Sequence, residues 1–470
     1  MNTRIIADED VETLCTSEES HFLDFKSSDV SGKKIQKTIV AFANADGGEL
    51  LIGIKDPKEE SNPTMRWSGK EKIEDLNSCL QAISAVTPTP DLKFEFLKCN
   101  TRKGYVLRVL VEKSSFVHYT SDNVVYQRCG AQSLPLNDPQ KITELSFAKG
   151  AMSFEDFLLK EIQPEQIVYS SELTRFLLEY SPKTDPLEFC INQNLFDFKT
   201  WEPRIVSVLL FHDSPSAVIP RKCAVKITRY ETREDTPERE HLAEQYTIEG
   251  SLYQLIHKAV KKITQIMSSV SAWTLDGLKT MDYPPEAVWE VFVNAVIHRD
   301  YSISDDIQVI IYNNRIEMIS PGKLPGYVTE KNILDARYAR NPKIIRTLNR
   351  YKEAPNKDLG EGLNTTFQKM KEWGLQAPLI HEDGNTVKVI LPHIPLAQPA
   401  EAILKFFKKN NTITNKQARE ITGIKSENLV KIEFYKLRDA GYLERCPNLE
   451  GPSAAWRLTE AGKIESQKYN

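Results

Sequence analysis

The hydrophobic pattern near the N-terminus predicts a helix, a tight turn and a buried strand in direct succession. Apolar residues recur every three or four positions at Ile35, Ile39 and Phe42, which is the spacing of one face of an amphipathic helix. The turn Asn44–Gly48 ends this helix, because glycine accepts left-handed backbone at no steric cost. The apolar run Leu50–Ile54 then predicts a strand that is covered on both faces.

The same patterns predict further elements along the chain. Strands are expected at Phe22–Lys26, Leu92–Leu97, Tyr105–Val111, Val124–Arg128, Ile205–Phe211, Cys223–Thr228 and Thr386–Leu391, and helices at Lys70–Ala85, Phe154–Leu159, Ser171–Tyr180, Leu252–Ser268 and Pro285–Ile297. Ile307–Tyr312 and Arg315–Ser320 are expected to pair as a hairpin, because Asn313 and Asn314 between them are a strong turn signal.

The last seventy residues predict a small separate unit after the proline-rich linker Pro392–Pro399. Helices at Ala402–Lys408, Asn415–Thr422 and Ser426–Ala440, followed by strands at Tyr442–Leu443 and Trp456–Leu458, are the order of a winged helix-turn-helix. The residues that its third helix would offer to a DNA groove are Lys425, Asn428, Lys431 and Tyr435. Protein pairing stays open as the alternative, because acidic residues occur in the same unit.

A chain of 470 residues is too long for one hydrophobic core and predicts several domains. The fold class we expect is a multidomain α+β protein with four parts. These parts are an α+β domain at 1–150, a connecting region without chemistry at 151–280, an α/β domain at 281–395, and the winged helix at 400–470.

Composition indicates an ordinary globular protein, with 40% hydrophobic and 27% charged residues. The net charge of −4 means that nucleic acid would have to bind at local basic patches. No apolar run of about 18 residues occurs, and we expect no membrane span. Seven scattered cysteines without a CxxC pair favour free thiols in a reducing cytosol over a zinc site, so we expect a cytoplasmic protein.

Three carboxylates lie at the ends of the first predicted strands: Glu19, Asp24 and Asp56. Carboxylates that converge there could hold Mg²⁺ or Mn²⁺ for phosphodiester hydrolysis, because hard divalent cations prefer oxygen ligands. The alternative is that Glu19 and Asp56 are solvated loop acids and that Asp24 pairs with Lys26. From the pattern alone this alternative is favoured.

A second candidate site lies on the helix predicted to begin at Pro285. Glu290 and Asn294 are four residues apart and therefore share one helix face. A carboxylate and an amide in this relation could respectively activate a water molecule and ligate Mg²⁺.

The segments Glu19–Lys26, Ala41–Gly48 and Leu51–Asp56 together resemble the Schlafen-type AlbA-like domain, and residues 126–130 match its Tyr-x-Arg-x-Gly segment. The resemblance implies binding to RNA or DNA. In some members of that family three acidic residues cleave tRNA or rRNA, and a role in defence against foreign genetic elements is implied by the family alone.

By this resemblance the three acids of the metal-dependent endonuclease are Glu19, Asp24 and Asp56. Asp24 stands where the family has a glutamate, which keeps the charge but shortens the reach towards a metal ion by one methylene. Lys26 and Arg128 are candidate phosphate contacts, since they are cationic donors near the acids. The alternative role for Arg128 is to hold a carboxylate structurally.

The helix at Glu290, the hairpin after it and two later glycine motifs resemble the GHKL ATPase fold in a divergent form, which Asn294–Tyr301 and Arg340–Pro342 also match. The resemblance implies that Asn294 binds Mg²⁺ and that Glu290 is the base of a weak ATPase. The glycines that approach adenine and phosphates are Gly322, Gly360 and Gly362. Ser320 stands where the family has the aspartate that accepts from the adenine amine, and a hydroxyl accepts less strongly than a carboxylate.

Three functional hypotheses follow. The first is a nucleotide-controlled effector in which ATP closes the GHKL-like domain and the N-terminal domain binds or cuts RNA or DNA. The second is a non-enzymatic, ATP-sensing transcription regulator in which the winged helix reads an operator. The third makes the GHKL-like region a dimerisation module without nucleotide. We expect a homo-oligomer.

Overall fold

The computed structural model describes residues 2–274, 277–280, 283–356, 362–393, 399–424, 426–447 and 454–467, and only the backbone of residues 2, 271–274 and 277–280. The chain divides into two compact units. The N-terminal unit contains Met1–Ser153 and Leu324–Arg340, and the C-terminal unit contains Phe154–Lys323 and Asn341–Asn470. No described helix combines the length and the apolar character needed to cross a membrane.

The N-terminal unit is an α+β domain. Its strands are β1 (Asn2–Ile5), β2 (Leu23–Lys26), β3 (Gly48–Ile52), β4 (Leu92–Lys98), β5 (Tyr105–Val111), β6 (Val125–Cys129) and β7 (Gln132–Leu136). Its helices are α1 (Asp8–Thr16), α2 (Gly32–Ala43), α3 (Asn77–Ser84) and α4 (Pro139–Lys149). Five strands form one sheet in the order β1-β4-β5-β3-β2, and β6 and β7 form a separate hairpin.

Strand β3 explains the continuous apolar run in the sequence, because both of its faces are covered. Leu50 and Ile52 pack with residues of α2 and α3 on one face, and Leu51 packs with residues of α1 on the other. The backbone of β2 runs parallel to β3, so that Asp24 lies opposite Leu50. Asp24 thereby lies on the edge strand of the sheet, with Glu19 before that strand and Asp56 after its neighbour β3.

The segment Leu324–Arg340 belongs to the N-terminal unit although it is distant in sequence. The ammonium group of Lys113 donates to the carbonyl oxygens of Leu324 and Val328 at 3.1 and 3.2 Å. The Tyr338 hydroxyl donates to the carbonyl oxygen of Gly150 at 2.6 Å. These bonds hold the segment along one side of the unit.

The C-terminal unit contains most of the helices. They are α5 (Glu165–Val168), α6 (Ser171–Tyr180), α7 (Pro186–Asn192), α8 (Ile205–Phe211), α9 (Pro215–Val218), α10 (Leu252–Met267), α11 (Pro285–Ile297), α12 (Pro342–Leu348), α13 (Gly362–Glu372), α14 (Pro399–Phe406), α15 (Asn415–Thr422), α16 (Glu427–Asp439) and α17 (Glu460–Ser466). Its strands are β8 (Val225–Tyr230), β9 (Leu242–Ile248), β10 (Ser271–Thr274), β11 (Gly277–Thr280), β12 (Ile307–Ile311), β13 (Arg315–Pro321), β14 (Leu379–Asp383), β15 (Thr386–Pro392), β16 (Ile413–Thr414), β17 (Leu443–Arg445) and β18 (Ala455–Leu458).

A six-stranded sheet in the order β14-β15-β13-β12-β8-β9 organises the C-terminal unit. Residues of α8, α10 and α11 pack with β8, β12 and β13 in one hydrophobic core, for example Leu209, Ile256 and Phe292 with Val309 and Met318. The region 151–280 was expected only to connect two domains. It supplies the strands β8 and β9 to this sheet and the helices α8 and α10 to the hydrophobic core. The division into four domains remains a prediction.

Most predicted elements are confirmed, including α6, α10, α11 and the β12–β13 hairpin. The strand predicted at Ile205–Phe211 is wrong, because the segment is the helix α8. All seven of its residues are buried, including the one polar residue Ser207, so no exposed polar positions mark the helical period in the sequence. The helix predicted at Lys70–Ala85 is a 3₁₀ turn at Ile73–Leu76 followed by α3.

Two smaller predictions also need correction. The helix expected at Phe154–Leu159 is only a 3₁₀ turn over Phe154–Asp156, and β7 was not predicted. The C-terminal helices and strands follow the predicted order, and they enclose a small core of their own that includes Phe406, Val430 and Phe434.

Candidate functional sites

Asp24 is the centre of the N-terminal acid cluster and is only 3% exposed. One carboxylate oxygen, Oδ2, lies 2.6 Å from Nη1 of Arg128. The other oxygen, Oδ1, is in direct contact with the ammonium group of Lys26. Both oxygens of Asp24 are therefore engaged by cations, and its pairing with Lys26 is the alternative that the sequence favoured.

Arg128 is held from several sides. Its Nη2 donates to the carbonyl oxygens of Ser20 and Leu23 at 2.8 and 3.1 Å, and its guanidinium carbon lies 4.7 Å from the centre of the Phe42 ring. The side chain is 1% exposed. Of the two roles left open for Arg128, the structure supports the structural one, because these donors are all used inside the protein.

Glu19 lies beside this pair. Its Oε1 accepts from the backbone N–H of Phe25 at 3.3 Å and lies 3.5 Å from Nζ of Lys26. Burial raises the pKa of Glu19, the charges of Asp24 and Asp56 raise it further, and Lys26 and the Phe25 N–H oppose them. The three predicted acids are thus close enough to influence one another electrostatically.

The three acids do not form a ready metal site. Asp56 follows β3, and its Oδ1 accepts from the backbone N–H of Lys58 at 2.9 Å. Within the part of the chain that is described, no three histidine, cysteine, aspartate or glutamate side chains are grouped so that they could hold a metal ion. Because Asp24 is neutralised by Lys26 and Arg128, this donor set as arranged does not fit a three-carboxylate centre for Mg²⁺ or Mn²⁺.

The turn after α2 positions this cluster, through a residue that the sequence reasoning passed over. The side-chain amide of Asn44 donates to the carbonyl oxygens of His118 and Tyr126 at 2.9 and 3.0 Å, and it ties β6 to the turn. Gly47 has φ of +82°, and a Cβ there would stand 2.6 Å from the carbonyl oxygen of Val111. The glycine is therefore required by the close approach of β5.

A basic face on α2 was also missed. Lys33 and Lys34 are exposed, and Nζ of Lys37 lies 5.5 Å from the centre of the Tyr126 ring, which places Lys37 beside β6. The spacing of three lysines within five residues at a helix start was the available signal. Lys33 also pairs with Asp122 at 2.8 Å.

The second cluster joins α11 to the start of α13. A Cβ built on Gly362 would overlap the carboxylate of Glu290 and would lie 3.5 Å from Nδ2 of Asn294. A larger residue at 362 would have to displace the Glu290 carboxylate, whereas the distance to Asn294 is an ordinary van der Waals contact. The structure thus brings together Glu290, Asn294 and Gly362, which the sequence had grouped by resemblance.

Ser320 and Gly322 lie at the end of β13. The Ser320 hydroxyl donates to the carbonyl oxygen of Ala295 in α11 at 2.7 Å, which leaves its lone pairs as acceptors. Gly322 has φ of +110°, and its N–H donates to the carbonyl oxygen of Asn385 at 2.8 Å. Gly360 lies outside the described residues.

Arg299 and Asn341 belong to the two segments, Asn294–Tyr301 and Arg340–Pro342, that resemble the divergent form of the GHKL fold. The Asn341 amide donates to the carbonyl oxygens of Ile297 and Arg299 at 2.9 and 2.8 Å and so closes the end of α11. Arg299 is 1% exposed and donates to the carbonyl oxygens of Asp300 and Ile303 at 2.8 and 2.9 Å. Both residues support the helix that carries Glu290 and Asn294.

The predicted nucleic-acid contacts on α16 are partly described. Asn428 is exposed. Lys431 is also exposed, but its Nζ lies 2.7 Å from Oε1 of Glu427 one turn earlier. The Glu427 carboxylate therefore competes with a phosphate for the ammonium group of Lys431. Lys425 lies outside the described residues.

The residues of the second cluster fit a nucleotide and its Mg²⁺. A helix start with a glycine is suited to phosphate, because its backbone N–H groups point outward and a side chain does not block them. Asn294 supplies an amide oxygen for a hard cation, and Glu290 supplies a carboxylate next to it. The space beside the Cα of Gly362 is taken by the Glu290 carboxylate, which a Cβ would overlap.

These features describe a multidomain α+β protein with one acid cluster in its N-terminal unit and one Glu–Asn–Gly cluster in its C-terminal unit. Residues 19–137 match the family model for Schlafen, AlbA_2, and residues 304–391 match the model described as "Putative ATP-dependent DNA helicase recG C-terminal". The chain thus contains a Schlafen AlbA_2 domain and an ATPase-like domain of the recG C-terminal type, as the resemblance predicted.

Among solved structures, the crystal structure of the DIP2311 protein from Corynebacterium diphtheriae is similar, with matches over 98% of this chain and 97% of that chain. The two chains are 17% identical, with a TM-score of 0.39. No curated protein matches the chain.

Proposed function

We propose that the protein is a nucleotide-responsive effector that binds nucleic acid through its N-terminal unit and ATP through its C-terminal unit. The observation that supports it most is the close approach of Gly362, at the start of α13, to the Glu290 carboxylate and the Asn294 amide. The two matched families associate the same chain with nucleic acid and with nucleotide.

The C-terminal unit would hold ATP with its own residues in distinct roles. Asn294 would hold Mg²⁺, which when bound offsets the charge of the phosphates. Glu290 would orient and deprotonate a water molecule. The N–H groups at the start of α13 would receive the phosphates, and Ser320 would accept a hydrogen bond from the base in place of the usual carboxylate.

The N-terminal unit would bind nucleic acid at the basic start of α2. Lys33, Lys34 and Lys37 offer a local positive face on a chain whose net charge is −4, and phosphate contacts need such a face. Lys26, whose side chain is 21% exposed, lies at the neighbouring acid cluster. Both RNA and DNA have the phosphate backbone that these lysines would contact.

Phosphodiester cleavage at Glu19, Asp24 and Asp56 is a second candidate function, and it requires Asp24 to give up its pairing with Lys26 and Arg128. The observation that favours it is the environment of Glu19, whose pKa is raised by burial and by the charges of Asp24 and Asp56, because a raised pKa makes a carboxyl group a better proton acceptor. Defence against foreign genetic elements would be a setting for such cleavage.

The test of cleavage uses tRNA, single-stranded DNA and duplex DNA with and without Mn²⁺ and ATP. If cleavage occurs, Glu19→Gln is expected to abolish it while nucleic-acid binding persists. Cleavage that survives in both Glu19→Gln and Asp24→Asn would exclude these acids. A chain that cuts none of these substrates but retards specific duplex DNA would favour the ATP-sensing regulator, with the C-terminal winged helix as the DNA contact.

The test of nucleotide binding is equilibrium titration of labelled ATP with Mg²⁺ into the full chain. The wild type is expected to bind and Asn294→Ala to lose binding. If the wild type does not bind ATP, the remaining hypothesis is that the GHKL-like region is a dimerisation module. A measurement of the oligomeric state in solution then tests that hypothesis.

A further inference from the structure

The helix α16, the third helix of the predicted winged helix, exposes an apolar stripe on the side opposite its own core contacts. The residues that face the small C-terminal core are buried, namely Val430, Phe434 and Leu437. The residues of the apolar stripe are 55%, 47% and 44% exposed, in the order Leu429, Ile432 and Tyr435. A helix with one buried face normally has polar residues opposite it. Adjacent exposed apolar side chains in that place indicate a contact with a further partner.

The charged residues of α16 balance one another. The helix carries equal numbers of acidic and basic residues, namely Glu427, Glu433 and Asp439 against Lys431, Lys436 and Arg438. Each basic side chain lies beside one of the acids, at N to O distances of 2.7, 2.7 and 2.8 Å. A surface that binds duplex DNA gains affinity from cations that neutralise phosphates. The exposed face of α16 is therefore better suited to a protein than to DNA.

The order of the charges makes this face complementary to a copy of itself. Glu427 in the first turn and Arg438 in the last turn are about three helical turns apart, so they lie on the same side of α16. The midpoint between them falls beside Ile432, which is the centre of the apolar stripe. A second α16 that packs antiparallel about a twofold axis at Ile432 would place each Glu427 beside Arg438 of the other copy.

We propose that α16 is a homodimer interface, in which the apolar stripes of two copies of this chain pack against each other in antiparallel orientation. A twofold contact uses the same surface patch on both copies and must be complementary to itself, as this face is. Burial of the apolar side chains drives association, and the charge pairs at its rim select the orientation.

Tyr435 is held in place before any partner arrives. Its ring lies edge-on to Trp456, with 6.0 Å between the ring centres, and the guanidinium carbon of Arg438 lies 4.7 Å from its own ring centre. An ordered side chain loses less conformational entropy when it enters an interface. This interface does not depend on the proposed ATP binding.

The test is sedimentation equilibrium of the full chain over a range of concentrations. The wild type is expected to form a dimer. Ile432→Glu should weaken the dimer at least about tenfold, because it buries charge at the centre of the contact. Ile464→Glu is the matched control, since Ile464 is 67% exposed on α17, and it should leave the dimer unchanged. A monomeric wild type, or an equally stable dimer in Ile432→Glu, would overturn the inference.

Charge-swapped variants test the antiparallel arrangement. Glu427→Arg and Arg438→Glu should each weaken the dimer, because each places like charges opposite one another. The double variant with both changes should restore the affinity towards that of the wild type, since the pairs are formed again with reversed sign. A double variant at least as weak as both single variants would contradict the proposed interface.

Two further measurements separate this interface from other roles of α16. The thermal midpoint of Ile432→Glu should equal that of the wild type at concentrations where both are monomeric, as expected for an exposed residue. A lost dimer would then not be a consequence of unfolding. A salt-sensitive duplex-DNA affinity that Ile432→Glu and Asn428→Ala both abolish, with the association state unchanged, would assign the face to DNA and overturn the inference.

Discussion

The Nη1 atom of Arg128 lies 2.6 Å from Oδ2 of Asp24, and the two side chains are 1% and 4% exposed. The pair connects β6 to β2 across more than one hundred residues of sequence. It uses one of the acids that a nuclease of this family would need, and the guanidinium also binds backbone carbonyls at Ser20 and Leu23. The acid cluster is therefore part of the fold as well as a candidate site.

Removal of one partner of this pair should destabilise the N-terminal unit strongly. Arg128→Gln would leave the buried Asp24 without its guanidinium partner, and Asp24→Asn would leave the guanidinium without a counter-charge. Breaking a buried pair in this way costs about 3–5 kcal/mol of unfolding free energy. Urea unfolding of each variant, followed by circular dichroism, measures this cost.

The control for that experiment is the surface pair of Lys33 and Asp122, whose side chains are 82% and 56% exposed. Asp122→Ala should change the free energy of unfolding by no more than about 1 kcal/mol, because water screens the pair. Equal effects of Arg128→Gln and Asp122→Ala would show that the buried pair does not stabilise the fold.

Glu155 gives a pH dependence to the stability of the C-terminal unit. It is fully buried, and its two oxygens accept from the backbone N–H groups of Lys343 and Ile344 at 2.8 and 2.9 Å. Burial raises the pKa of Glu155 to about 7. The folded state therefore holds this proton more tightly than the unfolded state, for which the usual pKa of 4.5 applies.

The contribution of the protonated Glu155 is fully present below pH 4.5 and is lost as the pH rises through about 7. The loss amounts to about 3 kcal/mol by pH 8. Glu155→Gln should remove this pH dependence, so that the free energy of unfolding relative to wild type increases from pH 5 to pH 8. Exposed Glu161→Gln is the control, and an identical pH profile for wild type and Glu155→Gln would refute the assignment.

Gly362→Ala tests the close approach of α13 to α11. The added methyl group would overlap the Glu290 carboxylate and must displace either that side chain or the helix start. We expect a loss of ATP affinity of at least about tenfold, because misplaced binding groups forfeit their hydrogen bonds. Isothermal titration with ATP measures it, with Gln368→Ala on the exposed face of α13 as the control; unchanged affinity in Gly362→Ala would place the phosphates elsewhere.

The lysines of α2 should govern the salt dependence of nucleic-acid binding. Each phosphate contact adds roughly one unit to the slope of log affinity against log salt. Lys34→Ala and Lys37→Ala should each lower that slope by about one for duplex or single-stranded probes. Lys160→Ala, in the C-terminal unit, serves as the control, and a slope unaltered by both α2 variants would move the interface away from this helix.

The sequence predicted the helix–turn–strand around Asn44–Gly48 and the α11 helix because their periodicity and glycines are local signals. It could not distinguish helix from strand in α8, whose seven residues are all buried. It also could not place β8 and β9 in the sheet of β12 and β13, since that pairing joins segments far apart in sequence.

The candidate sites were predictable in part. Glu290, Asn294 and Gly362 were grouped by resemblance and do lie together. The burial of Arg128 and its hydrogen bonds to Ser20, Leu23, Asp24 and Ser133 could not be foreseen, because they depend on the turn that Asn44 ties to β6.

The central claim is that nucleotide bound by the C-terminal unit changes nucleic-acid binding by the same chain. The most direct measurement is fluorescence anisotropy of labelled tRNA, single-stranded DNA and duplex DNA, titrated with the full chain at fixed salt, with and without ATP and Mg²⁺. We expect at least one probe to bind, and ATP to shift its affinity severalfold in the wild type but not in Asn294→Ala. Affinities that ATP leaves unchanged in the wild type, or an equal shift in Asn294→Ala, would contradict the account.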